Sequence, residues 1–522
     1  MSSEAKTVKF RIKRYNPELD RHFVSTYDVP VRKGMTILDA LLYIKDNLDA
    51  TLTFRYSCRM GQCGSCGILV NGKPMLACYT QVLHLGTDVV ELEPLPNLPV
   101  IRDLVVDVKP FFARYRKVTP YLIKPEEELE KPEEFLQPPE NFWEIWDLTV
   151  CTKCGICFAA CPAAIDDSYL GPSALATNYR FLRDVRDEGL NERLDAVSET
   201  LWLCTSCNSC SLMCPKNVDG SASVVETRSL VVERGYIPRT VKEVLESAFT
   251  YHNPLRTSQA KRLSWAEGLN VKLLPEVGSA EYLYFVCCSA AFDPRNQEIA
   301  RSTAVILREI GVDFANLGKE EWCCGDHILR MGEKGLFEEL AGHNVSMFER
   351  YGVDKVITVS PHCFNTMKND KPYTDLGMQV YHYTQIIADA IDTGRLKPTR
   401  EIRRRVAYHD PCFLGKRNNI YEEPRKILES IPGLELIEFR RRLENSYCCG
   451  GGAGRVWVEE APPEKRPCVE RVREAVEIGA EVIAVACPFC MTTLEDAVKV
   501  LEVEDKIVVR DVSELVREAC GL

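Results

Sequence analysis

Hydrophobic and polar residues alternate along two stretches near the N-terminus, residues 7–13 and 23–31, which are also rich in β-branched and aromatic residues. This pattern predicts two paired β-strands. Residues 35–48 then carry apolar residues at helical spacing, with Thr36 as a candidate N-cap, and predict a helix. An Asn-Gly pair at 71–72 indicates a hairpin turn. The chain is therefore predicted to begin with a small sheet and one helix.

The middle of the chain shows helical stretches between two connectors. Residues 121–140 are rich in Pro and Glu, which predicts a surface connector, although a binding role for this charge run is an alternative. Residues 174–200 and 221–248 have helical composition, and residues 249–280 are interpreted as a second linker.

From about residue 281 the chain repeats itself. An apolar strand is predicted at 355–360 and again at 481–487, and each follows a helical stretch, at 334–351 and at 464–479. Such alternation indicates an α/β architecture, in which loops at the strand ends are free to bind metals or substrates. We therefore predict two copies of one α/β domain.

Composition and charge exclude several classes of protein. The 522 residues suggest three or four domains at about 150 residues each. The net charge of −11 does not favour binding to nucleic acid or to anionic lipid. No apolar run approaches the length of a membrane span, and the first residues lack the apolar core of a signal peptide. The sequence predicts a cytoplasmic protein without a membrane span of its own.

The 24 cysteines change this picture most. Without an export signal they indicate metal or redox chemistry, because disulfides are rare in the cytoplasm. The cysteines are bunched in short groups, which suits cluster ligation by a single loop and does not suit disulfide staples. Iron–sulfur binding is therefore the first interpretation.

The first group has the spacing C-x4-C-x2-C followed by a fourth cysteine, which is typical of a plant-type [2Fe–2S] centre. A four-thiolate zinc site is the alternative. Glycines between these cysteines would let the loop bend and aim backbone N–H groups at the sulfurs. The predicted ligands are Cys58, Cys63, Cys66 and Cys78.

Two further groups share the run C-x2-C-x2-C-x3-C-P, the pattern of proteins with two [4Fe–4S] clusters. In this pattern the fourth cysteine of each run binds the other run's cluster. A zinc site would not explain the proline that follows the fourth cysteine of each run. The first cubane is predicted to take Cys151, Cys154, Cys157 and Cys214, and the second Cys204, Cys207, Cys210 and Cys161.

These motifs, together with the stretch RYSCRMGQCGSCGILVNGKPMLAC, resemble the iron–sulfur subunits of succinate dehydrogenases and fumarate reductases over roughly residues 5–235. The resemblance implies docking to a separate FAD-bearing subunit that interconverts succinate and fumarate, and this chain has no G-x-G-x-x-G flavin motif of its own. Cys207 departs from the quinone-linked members, which usually lack that cysteine and hold a [3Fe–4S] cluster. It implies a complete second [4Fe–4S] cluster.

The repeated half resembles the CCG domains of heterodisulfide reductase catalytic subunits over roughly residues 281–515. In that family five cysteines hold a noncubane [4Fe–4S] cluster at which disulfide chemistry occurs. The second copy has all five, and these are also the predicted catalytic residues: Cys412, Cys448, Cys449, Cys487 and Cys490.

The first copy lacks one of these cysteines. Matching cysteines in the two copies lie 124, 125 and 127 positions apart, which puts Ser360 opposite Cys487. Serine is a poor iron ligand at neutral pH because its hydroxyl is far less acidic than a thiol. We predict a further [4Fe–4S] cluster on the four remaining cysteines; Cys287 could replace Cys288, and a modified noncubane cluster and a partial site are alternatives. The four cysteines are Cys288, Cys323, Cys324 and Cys363.

Together these resemblances imply a multidomain α+β and α/β protein in five segments. They are a plant-type ferredoxin β-grasp domain at 1–108, a helical domain for two [4Fe–4S] clusters at 109–248, the linker at 249–280, and CCG domains at 281–400 and 401–522.

The fusion resembles the iron–sulfur subunit of the thiol:fumarate reductases of methanogenic archaea. The resemblance implies that coenzyme M and coenzyme B thiols are oxidised to their heterodisulfide at the CCG clusters. Electrons would then pass through the cubanes and the [2Fe–2S] centre to FAD on the partner subunit, which reduces fumarate. Two alternatives stay open: a succinate dehydrogenase or fumarate reductase whose CCG half meets a quinone or membrane partner, and a relay and docking module without substrate chemistry.

Three histidines lie near predicted ligands: His327, His362 and His409. Each could tune a cluster or relay a proton, and a structural hydrogen bond is the competing interpretation.

Overall fold

A computed structural model describes residues 6–130, 132–459 and 461–522. The chain divides into two compact units, described separately below. The first comprises the described residues of 6–201 together with 208–224, and the second comprises 202–207 together with the described residues of 225–522.

The first unit begins with a five-stranded sheet of order β2-β1-β5-β3-β4. The first two strands pair antiparallel with Phe10 opposite Tyr27, which confirms the predicted hairpin. The helix that follows is confirmed as well, and Thr36 caps it by accepting a hydrogen bond from the backbone N–H of Asp39. The elements are β1 (Lys6–Asn16), β2 (Arg21–Val31), α1 (Ile37–Asn47), β3 (Gly67–Val70), β4 (Lys73–Leu76), β5 (Val89–Glu93), β6 (Val100–Arg102) and β7 (Val105–Val106).

Alternation explains how this sheet builds a core. Residues Val8, Phe10 and Ile12 of β1 are fully buried, because successive side chains of a strand point to opposite faces. They pack in one apolar cluster with Leu41 and Ile44 of α1. The same cluster contains Cys66 and Cys78, so two predicted [2Fe–2S] ligands are anchored directly to the sheet core.

Short helices joined by loops make up the rest of the first unit. The stretch predicted as a Pro- and Glu-rich connector contains one helical turn, Glu126–Leu129, and its last two residues begin the next helix. The helices are α2 (Lys109–Arg116), α3 (Glu126–Leu129), α4 (Pro139–Thr149), α5 (Ile156–Ala159), α6 (Pro172–Arg183), α7 (Leu190–Asp195) and α8 (Ser209–Leu212). The next helix, α9 (Gly220–Glu233), begins in the first unit and ends in the second.

The second unit contains two sheets, each of four strands. Its elements, in chain order, are α10 (Arg239–Tyr251), α11 (Leu274–Val277), β8 (Tyr282–Phe285), α12 (Cys288–Phe292), α13 (Pro294–Glu309), β9 (Phe314–Ala315), α14 (Asp326–Arg330), α15 (Lys334–Tyr351), β10 (Lys355–Thr358), α16 (Pro361–Asn369), β11 (Gln379–His382), α17 (Tyr383–Asp392), β12 (Arg405–Tyr408), α18 (Gly415–Asn418), α19 (Glu422–Glu429), β13 (Glu435–Ile437), α20 (Pro467–Glu477), β14 (Val482–Val485), α21 (Pro488–Val500), β15 (Val508–Asp511) and α22 (Val512–Cys520).

The two sheets have the same topology, which confirms the repeat. Their orders are β11-β10-β8-β9 and β13-β12-β14-β15, and every pairing in both is parallel. The predicted strands at 355–360 and 481–487 are β10 and β14, which lie in the interior of their sheets and are buried there. The multidomain fold class with two α/β copies is therefore confirmed.

Across the described residues, the helices are all too short or too polar to cross a membrane.

Candidate iron–sulfur sites

Three cysteines of the predicted [2Fe–2S] site, Cys58, Cys63 and Cys66, lie in the bent loop before β3, and Cys78 lies in the turn after β4. Backbone N–H groups donate to their sulfurs: Cys63 N to Cys58 Sγ at 3.2 Å, and Gly61 N to Cys78 Sγ at 3.3 Å. The N–H of Cys78 reaches Cys66 Sγ at 3.5 Å. Such donors stabilise negative charge on sulfur, and they suit thiolates that hold a cluster.

This loop packs against the first of the two cubane motifs, within the first unit. Gly64 has a φ of +72°, and a Cβ placed there would lie 2.6 Å from Cys154 Cα. Glycine is required on both counts, because its left-handed backbone and its missing side chain allow the approach. The predicted [2Fe–2S] loop and a predicted cubane ligand are therefore in backbone contact.

The four predicted ligands of the first cubane surround one cavity. Cys151, Cys154, Cys157 and Cys214 line it, together with Cys210, which the motif assigns to the second cubane. Burial raises the pKa of the Cys157 thiol well above its usual value, a cost that binding to iron would remove. The residues present therefore fit a cluster. The second predicted ligand set draws its cysteines from both units and stays a prediction.

In the second CCG copy the five cysteines form a continuous series of thiol contacts. Cys412 contacts Cys448, which contacts its neighbour Cys449. Cys490 lies between Cys449, at 3.4 Å, and Cys487. All five are buried, and they follow the carboxyl ends of β12 and β14 or lie in the Cys-Cys-Gly loop between them. Five converging thiols fit a cluster that needs more than four ligands.

The first copy brings its four predicted ligands together in the same way. Cys288 contacts Cys323, which contacts Cys324, and Cys324 contacts Cys363. Cys287, the alternative considered for this site, contacts Cys363 from the other side.

The glycine of each Cys-Cys-Gly sequence has a structural reason. Gly325 and Gly450 adopt φ values of +85° and +89°, which glycine reaches without strain. Each donates a hydrogen bond from its backbone N–H to the first cysteine of its pair. The distances are 3.4 Å to Cys323 Sγ and 3.3 Å to Cys448 Sγ. The motif therefore supplies a hydrogen-bond donor to a predicted ligand sulfur in both copies.

His362, from the first copy, contacts a predicted ligand of the second. Its ring hydrogen-bonds with Cys487 Sγ, and its Nδ1 lies 2.6 Å from Asp326 Oδ2. Burial alone would lower the pKa of His362, but the charges of Asp326 and Cys487 raise it to about 10. The ring of Phe413 packs against the His362 ring in a tilted arrangement, with 4.1 Å between the ring centroids. Sequence spacing singled out His362 only as a neighbour of Cys363, and nothing in the sequence connects it to a cysteine of the other copy.

His409 and His327 occupy different settings. Burial lowers the pKa of His409 to about 3, and Arg471 donates to its Nδ1 at 3.2 Å, so this ring is neutral and held in place. His327 accepts a hydrogen bond of 3.0 Å from the backbone N–H of Gly454. Both therefore make the structural hydrogen bonds that were the competing interpretation.

The segment 202–207, which contains Cys204 and Cys207, packs on the second CCG copy. Cys207 joins Cys412, Phe413 and Cys448 in one buried cluster. Arg417 donates to the carbonyl of Ser206 at 2.9 Å. A Cβ on Gly452 would lie 2.6 Å from Thr205 O, so the two backbones are as close as glycine permits. A predicted cubane ligand thus touches two predicted ligands of the five-thiol site.

Buried Arg228 stabilises the contact between the 202–207 segment and the CCG copies. Its guanidinium donates to the carbonyl of Cys204 at 2.7 Å, of Arg330 at 2.9 Å and of Ala453 at 3.0 Å. One side chain therefore links the 202–207 segment to both CCG copies.

Three family models match the chain. A 2Fe-2S iron-sulfur cluster binding domain matches residues 9–113, and a 4Fe-4S dicluster domain matches residues 147–218. A cysteine-rich domain matches twice, at residues 282–368 and 406–495. These models show that the chain binds iron–sulfur cofactors and carries the CCG domain in two copies.

Several curated proteins are similar over most of the chain. "Uncharacterized iron-sulfur protein MJ0092" of Methanocaldococcus jannaschii is 32% identical and aligns over 96% of each chain. "EtfAB:quinone oxidoreductase" of Syntrophomonas wolfei is 32% identical over 75% of this chain, which spans 61% of that protein's length. A subunit of the fumarate reductase (CoM/CoB) of Methanothermobacter marburgensis is 30% identical over 94% of this chain and 95% of its own. The chain therefore belongs to the family of iron–sulfur electron-transfer subunits of oxidoreductases that includes this subunit of fumarate reductase (CoM/CoB).

Proposed function

We propose that this chain is the thiol-oxidising and electron-transferring subunit of a fumarate reductase. Coenzyme M and coenzyme B thiols would each lose one proton and one electron as the sulfur–sulfur bond of their heterodisulfide forms. The two electrons and two protons convert fumarate to succinate at FAD on a partner subunit. When bound, the clusters supply one-electron steps between these two-electron reactions.

The cofactors proposed are one [2Fe–2S] centre, two [4Fe–4S] cubanes, a noncubane [4Fe–4S] cluster on the second CCG copy and one further iron–sulfur cluster on the first. The ligands are the cysteines assigned from the motifs. The domain boundaries inferred from the sequence are proposed with them.

The contact between Cys207 and Cys448 carries this proposal. The first is a proposed ligand of the second cubane, and the second is a proposed ligand of the five-thiol site. Ligand sulfurs in contact would bring their two clusters close enough for direct electron transfer. Gly452, packed on Thr205, allows the two segments to approach this closely.

The surface of the [2Fe–2S] loop supports docking of a flavoprotein subunit. Met60 is 68% exposed, and Tyr79, next to the ligand Cys78, is 73% exposed. Tyr56 is half-exposed, with the guanidinium of Arg59 over its ring. Large apolar side chains grouped around a redox centre favour a protein partner there, because an exposed apolar patch gains free energy when it is covered.

At the thiol site, the side chains around Cys487 are arranged to stabilise negative charge on sulfur. Asp326 fixes the ring of His362, and that ring hydrogen-bonds with Cys487 Sγ. Phe413 and Phe489 flank the same ring, which excludes water from this side of Cys487. A charged hydrogen bond in such dry surroundings would be stronger than one in water.

A quinone-linked enzyme is the second candidate, and the name of the relative from Syntrophomonas wolfei favours it. A relay and docking module without substrate chemistry is the third. The decisive assay follows free thiols in the complex of this chain with its flavoprotein partner. The proposal expects loss of both coenzyme thiols in equal amounts, one of each per fumarate reduced. Fumarate reduction by a quinol but not by the thiols would support the second candidate, and reduction by an artificial dye alone would support the third.

A further inference from the structure

The first CCG copy has a serine, Ser360, where the second copy has the cysteine Cys487. The Ser360 side chain is fully buried, and its Oγ has no hydrogen-bond partner among the described residues. In the second copy the matching residue, Cys487, is a thiol in contact with Cys490. A buried hydroxyl without a hydrogen-bond partner destabilises the folded protein. With the described residues, Ser360 therefore makes no stabilising hydrogen bond that would replace the missing thiol.

The strand register shows what stands opposite Ser360. β8 and β10 are neighbouring parallel strands in which Phe285 pairs with Thr358. Both strands end at this pair. Continuing the same register two residues past the strand ends would bring Cys287 opposite Ser360. In the second copy Tyr408 of β12 pairs with Ala484 of β14. The same continuation would bring Pro411, and not a cysteine, opposite Cys487. Neighbouring strands lie about 4.8 Å apart, so a thiol moved from one strand end to the next stays at the same edge of the sheet.

The thiol contacts agree with this exchange. In the second copy Cys490 contacts Cys449 and Cys487. In the first copy the matching residue, Cys363, contacts Cys324 and Cys287. Cys287 therefore has the same place in the first series of thiols that Cys487 has in the second.

Burial and local hydrogen bonds fit Cys287 as a ligand. Its side chain is 3% exposed, and its Sγ accepts a hydrogen bond of 3.4 Å from the backbone N–H of Ala290. The adjacent Cys288 points to the other end of the series, towards Cys323, and accepts from buried Arg262 at 3.7 Å. The two neighbouring cysteines thus serve different positions and do not compete for one.

We propose that Cys287 supplies the fifth thiolate of the first CCG site, in place of the cysteine that Ser360 replaces. The complete set is Cys287, Cys288, Cys323, Cys324 and Cys363. Both copies then present five thiolates, and the first is expected to hold the same class of noncubane iron–sulfur cluster as the second. This inference rests on the proposed iron–sulfur role of the chain and not on the identity of its substrate.

The test uses the full chain, purified with its clusters under anaerobic conditions. Iron and acid-labile sulfide per chain and the Mössbauer spectrum are compared for wild type, Cys287→Ser, Ser360→Ala and the double variant Cys287→Ser with Ser360→Cys. We expect Cys287→Ser to lose the iron of one cluster or to change its spectrum to that of an ordinary cubane. Ser360→Ala should match wild type, and the double variant should recover the wild-type spectrum by returning the thiol to the β10 end.

Two results would overturn the inference. One is a Cys287→Ser protein with wild-type iron content and spectrum. The other is a double variant that keeps its circular dichroism spectrum but does not recover the cluster. Cys520→Ser, in α22 and outside every proposed ligand set, controls for the loss of a thiol as such. Because iron and spectra are measured without thiols or fumarate, failure of the proposed thiol chemistry would leave this result unaffected.

Discussion

The thiol of Cys448 donates a hydrogen bond to the hydroxyl of Thr205 at 3.4 Å, although 243 positions separate the two residues. Thr205 lies between two predicted cubane ligands, Cys204 and Cys207, and Cys448 belongs to the five-thiol site. In the proposed function, this contact is where the electron path from the second CCG copy begins.

Gly452→Ala tests that path. The new Cβ would lie 2.6 Å from the carbonyl oxygen of Thr205, a backbone atom that can move only with its segment. We expect a cost of about 1–3 kcal/mol, typical of overpacking, and slower thiol-dependent fumarate reduction at unchanged iron content. Gly342→Ala is the matched control, because nothing lies within 4 Å of a Cβ in that helix position. Equal thiol-dependent rates in both variants would argue against the path.

Gly64→Ala tests the contact at the other end of the chain. The substitution combines a φ of +72° with a Cβ only 2.6 Å from Cys154 Cα, so the loop must move away from the first cubane motif. We predict a lost or altered EPR signal of the reduced [2Fe–2S] centre. Gly86→Ala carries a comparable conformational cost at a φ of +64°, with nothing within 4 Å, and should keep the signal. If both variants keep it, the close packing is not needed to form the centre.

Cys487→Ser separates thiol chemistry from flavin chemistry. Serine is a poor iron ligand, and the hydrogen bond from His362 would lose its sulfur partner. Thiol-dependent fumarate reduction should be abolished, while reduction driven by an artificial dye in the complex should remain at the wild-type rate. Loss of both activities would show instead that the five-thiol site has a structural role.

Met60→Glu tests the docking surface. A carboxylate at this 68% exposed position would have to be desolvated under a partner, so we expect weaker binding of the flavoprotein subunit. Leu19→Glu adds the same charge at an equally exposed apolar position, 69% exposed, between β1 and β2. Titration of the two variants with the partner should show weaker binding for Met60→Glu alone. Weakening by both would indicate a non-specific charge effect.

Local signals in the sequence were sufficient for the first hairpin, for α1 with its Thr36 cap and for the buried strands β10 and β14. Each depends on residues near in the chain, through alternation, capping or an apolar run. The cysteine motifs also indicated iron–sulfur chemistry, because their spacing reflects a loop that must surround one cluster.

Contacts between distant segments could not be predicted in this way. Which of two adjacent thiols, Cys287 or Cys288, faces Cys363 depends on the register of β8 against β10. The hydrogen bond between His362 and Cys487 depends on how the two CCG copies pack. Arg262 contacts Cys288 from the stretch interpreted as a linker, and no motif marks that arginine.

Reoxidation of the reduced chain by a disulfide tests whether the five-thiol site exchanges electrons with the [2Fe–2S] centre. The chain is reduced chemically without oxygen, freed of reductant and mixed with the heterodisulfide of coenzyme M and coenzyme B, and the EPR signal of the reduced [2Fe–2S] centre is followed in time. Each disulfide takes two electrons and two protons to give two thiols. We predict that the heterodisulfide removes the signal in wild type but not in Cys487→Ser. A quinone analogue should not remove it in either protein. Reoxidation by the quinone analogue with no response to the heterodisulfide would contradict this prediction.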